Sequence, residues 1–457
     1  MPSLIAFVGT FALFGVAVNV DLSTAAGYDD QRVVQLALLV VAAAALLAPK
    51  WRRDVVAALS ELPATVRMLL VGAVVVGSVS AISADFPARA SLHLGHSLLL
   101  VLGGAVVAVA VHRDGVMFGR AVAVAGGLAL VWNLQAGVTG WVLFGDSVHF
   151  WDRYGAGFHN PMFLGQVLVL SVPLVVHAML AASRLAVRVA WGFLGAMWIA
   201  SGLAVGQTLW IAGVGVGLLV IRLLTGWPRW NHLIATAVMA GFAFCTVALV
   251  FGTSVVRNPM EETDNLRPRW AYAVDRIIES PVLGVGPGNY APVLPGDGTD
   301  RIPEHPHNVL LLATAEWGAL LAALSILVAA VVMRGQRRRL RAGVPDAEVR
   351  AALLVSVVGG VGYAMFSGVE VMPLAQTMLV GVLGSLWGLS LDADLSSDIG
   401  GPTGTAAVAG STILALVLVA APLSGFVTLP GEDLDRYNGP RFWAFDVRRP
   451  DPTDVFQ

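Results

Sequence analysis

The residues best equipped for chemistry in this 457-residue chain lie between Asp264 and Gly318, in DNLRPRWAYAVDRIIESPVLGVGPGNYAPVLPGDGTDRIPEHPHNVLLLATAEWG. Arg267 and Arg269 carry guanidinium groups whose forked donors match phosphate oxygens in a way that a lysine does not reproduce. The plainer alternative for each is a solvated or snorkelling charge at a membrane surface. GVGPGNY follows, where Gly284, Gly286 and Gly288 permit positive φ and let a ligand come close to backbone amides. A simple turn accounts for the same residues, and with no strand ahead of them a dinucleotide fingerprint is not expected. Next comes HPHN. Pro306 holds the residue before it extended, so the side chains of His305 and His307 should diverge rather than share a metal. His307 stands where a long apolar helix begins, and the positive dipole end there disfavours the imidazolium. A neutral imidazole in that place can accept a proton near neutral pH. A histidine that caps or hydrogen-bonds at the interface is the structural alternative. Glu316 falls about 13 Å deeper by helix rise and half a turn out of phase with His307. It reads as a buried structural carboxylate that needs a donor.

These residues sit in a chain that is 57% hydrophobic and 13% charged, with a mean hydropathy of +0.76. Such a composition belongs to an integral membrane protein, and runs of about 20 Ala-, Val-, Leu- and Gly-rich residues fit helices rather than the short alternating strands of a barrel. A net charge of -2 gives no case for a nucleic-acid partner. The single cysteine, Cys245, lies in an apolar run and excludes an internal disulfide.

The expected fold is an all-α polytopic membrane protein of about 13 transmembrane helices. The spans fall near 3–20, 33–49, 66–84, 94–112, 117–143, 162–182, 186–204, 207–224, 232–252, 308–333, 351–369, 373–391 and 408–428. The first is read as an uncleaved helix. Residues 1–429 form the transmembrane domain, with one large external loop, 253–307, between helices 9 and 10. Residues 430–457 form an external tail. Within the loop, Asp264 or Asn265 can cap a short amphipathic helix that ends before Pro281, with Trp270, Val274, Ile277 and Ile278 on its apolar side. Basic residues fill every second connection: Lys50, Arg52, Arg53 and Arg67, then Arg113 and Arg120, Arg184 and Arg188, Arg222 and Arg229, and Arg334 to Arg341. By the positive-inside rule these are cytoplasmic, which puts the N terminus inside and the Asp264–His307 loop outside. The polar residues collect at the outer helix ends, and mid-span positions are almost free of Asp, Glu and Lys. Ion-coupled transporters keep such residues near the midplane.

Arg267, Trp270, PVLGVGPGNY and PHNVLLLATAEWG, in that order and spacing, resemble the signature of the O-antigen ligase and polymerase superfamily. These are bacterial membrane glycosyltransferases that act on undecaprenyl-diphosphate glycans. Upstream, GAGFHNPMFLGQVLVLSVPL is similar to that family's external element leading into a helix. Downstream, FSGVEVMPLAQ around Glu370 is similar to the element of its protein O-oligosaccharyltransferase branch, with one extra residue. The signature region runs over 155–390. The resemblance implies a metal-independent, inverting transfer at the external face of the inner membrane, with no cofactor. The donor is a polyprenyl-diphosphate-linked glycan, and the acceptor is a glycan, lipid A core or protein hydroxyl. It gives His307 the role of base toward the acceptor hydroxyl and Arg267 the grip on the donor diphosphate, with Arg269 its substitute in register. Gln207, Asn160, Asn308, Gly286 and Gly288 join the substrate-binding set, and Glu316 and Glu370 support it. There is one departure: the turn VGQTLW carries Gln207 where the family has an arginine, and a neutral amide supplies no charge.

Ligation, polymerisation and protein O-glycosylation share this signature. Two other classes compete with transfer: a membrane transporter, for which solute uptake would persist without His307, and a non-catalytic partner of polysaccharide assembly.

Overall fold

The structure is a computed structural model that describes residues 27–113, 161–204, 208–226, 230–251, 266–290, 305–369 and 371–391, with scattered positions between 406 and 417. Every regular element among them is helical. In chain order these are α1 (Gly27–Ala45), α2 (Pro49–Ser60), α3 (Ala64–Ile82), α4 (Pro87–Arg113), α5 (Pro161–Ala181), α6 (Leu185–Ala204), α7 (Leu209–Thr225), α8 (Trp230–Phe251), α9 (Leu266–Glu279), α10 (Val309–Arg341), α11 (Ala347–Ala364) and α12 (Pro373–Gly388). Six are long and apolar enough to cross a membrane, or seven if the bent α1–α2 pair forms one span. Among the described residues the chain is all-helical, with the long apolar helices of a membrane protein. Each expected span between residues 33 and 112 and between 162 and 391 coincides with a described helix. The spans at 3–20 and 117–143, most of the span at 408–428 and the tail lie outside the described residues.

The connection after α1 departs from expectation. Lys50, Arg52 and Arg53 were expected in a loop, but they lie on α2, which turns from α1 by 97°. Pro49 at the first helical position explains the turn. It restricts Ala48 to an extended conformation (ψ 122°), ending one helix and opening the next. The basic side chains then ride on a helix whose buried residues are Val55 to Ala58.

The chain divides into two compact units. One comprises Met1–Asp21, Gly103–Asp264 and Val332–Leu395. Its packing rests on small residues that let backbones touch, the usual means of association where no water drives helices together. A Cβ added at Gly217 would stand 2.5 Å from the Val355 carbonyl oxygen, and one at Gly213 would stand 3.0 Å from that of Gly359, so α7 and α11 meet backbone to backbone. Gly384 and Gly388 of α12 press in the same way on the carbonyls of Gly104 and Ala108.

A buried arginine closes one end of this unit. Arg350, 1% exposed, donates to Gln336 Oε1 (2.8 Å), Ser390 Oγ (2.8 Å), the Leu389 carbonyl (2.7 Å) and Asp346 Oδ2 (2.6 Å). These bonds tie together the C-terminal part of α10, the start of α11 and the end of α12. Asp346→Ala leaves that guanidinium facing neutral acceptors, and a buried charge stripped of its counter-ion is costly. We expect a loss of roughly 1–3 kcal/mol, read as a lower thermal midpoint of the detergent-solubilised protein, with Arg350→Ala at least as damaging. Unchanged melting of both variants would contradict the role.

The other unit comprises Leu22–Leu102, Asn265–Val331 and Ser396–Gln457. Leu39 and Ala43 of α1 pack on Leu92 and Leu99 of α4, while Ala81, Ala84, Ala90 and Leu94 form a second cluster against Trp317. Gly77 of α3 leaves room for that indole, whose Cζ3 would lie 3.2 Å from an added Cβ. Polar side chains are buried here too. Arg32 Nη1 donates to Gln35 Oε1 at 2.6 Å and lies 3.3 Å from His96 Nε2.

Candidate functional site

All the described motif segments of the central stretch fall in this second unit. The amphipathic helix forms as α9, and Pro281 follows its end as expected. The expected apolar face divides between the protein and the surface. Ala273 is buried with Trp270, Tyr272, Arg276 and Ile277 partly so, while Val274 and Ile278 are exposed, Ile278 to 70%. The Val274, Ile278 and Val282 stripe therefore remains on the surface, where a helix lying in a membrane interface would put it. Arg267 is exposed on the first turn of α9, and Arg269 is half-buried.

The glycine-rich loop is held by an interruption in the helix that follows. Gly318 (φ 80°, ψ 164°) breaks α10, so the helical bonds from Ala319 to Ala315 and from Leu320 to Glu316 cannot form. The loop takes over both sides. The Val285 and Gly286 amides donate to the Ala315 and Glu316 carbonyls, both at 2.9 Å, while the Ala319 and Leu320 amides donate to the Pro281 and Val282 carbonyls at 2.9 and 3.4 Å. Broken helices at membrane depth survive where other groups satisfy the freed backbone, and here the glycine-rich loop does so. The special backbone of the glycines follows. A Cβ would stand 2.3 Å from the Glu316 carbonyl oxygen at Gly284, 2.2 Å from Ala84 Cβ at Gly286, and 2.4 Å from His93 Cδ2 at Gly288. Gly286 and Gly288 are buried against the protein's own chain.

Aromatic side chains fasten α9 to this loop and to the histidine turn. The Tyr272 hydroxyl donates to the Tyr290 carbonyl (3.2 Å), the Tyr290 hydroxyl to the Arg269 carbonyl (3.0 Å), and the rings meet edge to face at 5.2 Å. Trp270 Nε1 donates to the Pro306 carbonyl at 2.9 Å. Arg276 pairs with Glu279 and reaches the Asn289 carbonyl at 3.2 Å.

His307 has φ +51°, a left-handed conformation that costs a non-glycine residue about 1–3 kcal/mol and collects at functional sites. That turn overturns the expectation that the two histidines diverge. The chain doubles back at His307, its amide donates to His305 Nδ1 at 2.7 Å, and the rings lie edge to face with centroids 5.1 Å apart. Pro306 constrains His305, but the geometry is decided one residue later. Asn308 then caps α10, its Oδ1 accepting from the Leu310 and Leu311 amides at 3.1 and 3.0 Å. The imidazole of His307 is partly exposed just beyond that positive helix end. Glu316 is buried two residues before the break, its carbonyl accepting from Gly286 and Ser80. Among the described residues, no three His, Cys, Asp or Glu side chains come together as a metal site.

No protein-family model matches this chain, and no curated protein does.

Asn160, Gln207 and Glu370 lie outside the described residues. The segments bearing the first and last are linked in the other unit, where Gln166 Nε2 of α5 donates to Ser367 Oγ at 3.0 Å. What the sequence reading missed is the support of the site. AEWG carries its signal, since a glycine inside a long apolar helical run marks a place where helix continuation is weak. The edge contact of His305 with His307 has no sequence signal, because it depends on one φ angle.

Proposed function

We propose that this chain is a membrane glycosyltransferase of the O-antigen ligase and polymerase type, moving a glycan from a polyprenyl diphosphate to an acceptor hydroxyl at the external face of the bacterial inner membrane. The observation that carries the reading is the assembly of RPRW, GVGPGNY, HPHN and AEWG into one hydrogen-bonded body that ends in the left-handed turn at His307. Such an assembly fits a chemical role, because a strained turn persists only where its surroundings over-determine it.

In this reading the acceptor oxygen attacks the anomeric carbon while His307 takes the hydroxyl proton. The bond from that carbon to the diphosphate oxygen breaks, polyprenyl diphosphate leaves with the bonding pair, and configuration inverts. Arg267, exposed at the α9 N-terminus, and Arg269 neutralise the diphosphate as its charge grows. The exposed Val274 and Ile278 stripe sets that helix into the interface, where a lipid-linked donor travels. Of the about 13 spans in the proposed topology, α10 runs inward from His307 to the arginines at its C-terminal end, which makes the N terminus cytoplasmic and the site external.

The test is surface-glycan analysis, by gel and mass spectrometry, of a strain lacking the gene. Single repeat units in place of long chains identify a polymerase. Full chains held on the lipid carrier identify a ligase or a protein glycosyltransferase. Glycans unchanged by the deletion contradict the proposal. Two further outcomes are expected with the purified protein. Arg267→Ala should lower the affinity for the lipid-diphosphate donor by about tenfold or more, since one charge-assisted contact contributes roughly 1.5–3 kcal/mol. Chelators should leave transfer unchanged; inhibition reversed by one divalent cation would show that a metal takes part.

A further inference from the structure

We infer that His305 is the positioning residue of the site, acting through the Nδ1 lone pair that accepts the His307 amide rather than by taking or giving a proton to substrate. Hydrogen bonds to histidine rings usually leave the tautomer open. This one does not, because a backbone N–H can only donate. His305 Nδ1, 2.7 Å from the His307 nitrogen, therefore carries no hydrogen, and the ring proton is on Nε2. Protonating Nδ1 would set two donors face to face and break the contact. His305 is 7% exposed, so the bond is shielded from competing water.

The consequence falls on His307. Its φ of +51° turns the amide back toward residue 305, and the bond to Nδ1 rewards that conformation over the extended one that would carry the imidazole away. The edge-to-face contact of the two rings fixes the orientation from the side-chain end. The turn is closed from outside by the Trp270 indole on the Pro306 carbonyl and followed at once by the Asn308 cap. His305 is thus the internal member of a turn whose outer members belong to α9 and α10.

The assignment rests on the transferase reading for its activity readout, so the experiment includes one that does not. His305→Asn puts an amide oxygen close to the position of Nδ1, whereas His305→Gln puts its polar atoms near Nε2 and leaves the His307 amide without an acceptor. In reconstituted protein with a lipid-diphosphate glycan donor, His305→Asn should keep kcat within about threefold of the wild type with the same pH profile. His305→Gln should lose about tenfold or more in kcat with little change in donor KM. Independently of any activity, the rate at which diethyl pyrocarbonate modifies His307, read by peptide mass spectrometry, should match the wild type in His305→Asn and differ severalfold in His305→Gln. Equal behaviour of the two variants in labelling overturns the inference, as does an inactive His305→Asn beside an active wild type. If the wild type transfers no glycan, the proposed function fails while the labelling comparison still decides the role of His305.

Discussion

Replacing His307 by alanine should abolish glycan transfer while leaving the folded protein in place. The imidazole sits on a turn whose hydrogen bonds are made by its own backbone and by neighbours: its amide to His305, the Pro306 carbonyl to Trp270, and the Asn308 cap. Removing the side chain therefore deletes the proposed proton acceptor but little of the scaffold. Loss of a positioned general base costs about 100- to 10,000-fold, enough to erase long glycans from a complemented deletion strain. Alanine also tolerates a left-handed φ no better than histidine does, so His307→Gly offers a control for strain. If the loss comes from the missing imidazole, both variants are inactive. If His307→Gly transfers glycan normally, the imidazole is not the base.

The second large effect is expected far from the reacting atoms. Gly318 combines φ 80° with ψ 164°, a backbone region essentially reserved for glycine, and a Cβ there would stand 2.0 Å from the Val282 carbonyl oxygen. The carbonyl cannot yield cheaply, because it belongs to the backbone of the loop that fills the helix break. Gly318→Ala should therefore either close α10 into a continuous helix, expelling the loop, or forfeit roughly 3 kcal/mol or more. Either way the Pro281 to Tyr290 segment loses its hold on Ala315 and Glu316. The measurable result is faster hydrogen exchange across that segment together with lost transfer. The contrasting substitution is Gly335→Ala, in the same helix where an added Cβ meets nothing within 4 Å, and it should be neutral or slightly stabilising. If Gly318→Ala behaves like Gly335→Ala, the helix break does not support the loop.

These two cases mark what the sequence makes legible. Long apolar runs place α3 to α8 and α10 to α12 closely, because a span must satisfy every backbone group within itself and so follows hydropathy. The arginine-bearing helix, the glycine loop and the histidine turn are also readable as local features. Their mutual support is not. Gly284, Gly286 and Gly288 suggest room for a ligand, yet the atoms that would collide with a side chain there belong to Glu316, Ala84 and His93, distant in sequence. Likewise the apolar positions of α9 are legible, but not that Ala273 is the residue it buries, on the side where Trp270 and Tyr272 make their hydrogen bonds. Lys50, Arg52 and Arg53 read as a loop because charge masks the helix that Pro49 starts.

In the proposed function, the His307 turn performs transfer from a lipid diphosphate. The most direct measurement uses purified protein in vesicles with a polyprenyl-diphosphate-linked repeat unit from the cell that makes it, together with a membrane extract as acceptor. Glycan-free polyprenyl diphosphate and elongated or transferred glycan are both followed by mass spectrometry. Both should appear together with the wild type, and neither with His307→Ala. Intact lipid-linked glycan after incubation with the wild type, or equal turnover by His307→Ala, would contradict the proposed function.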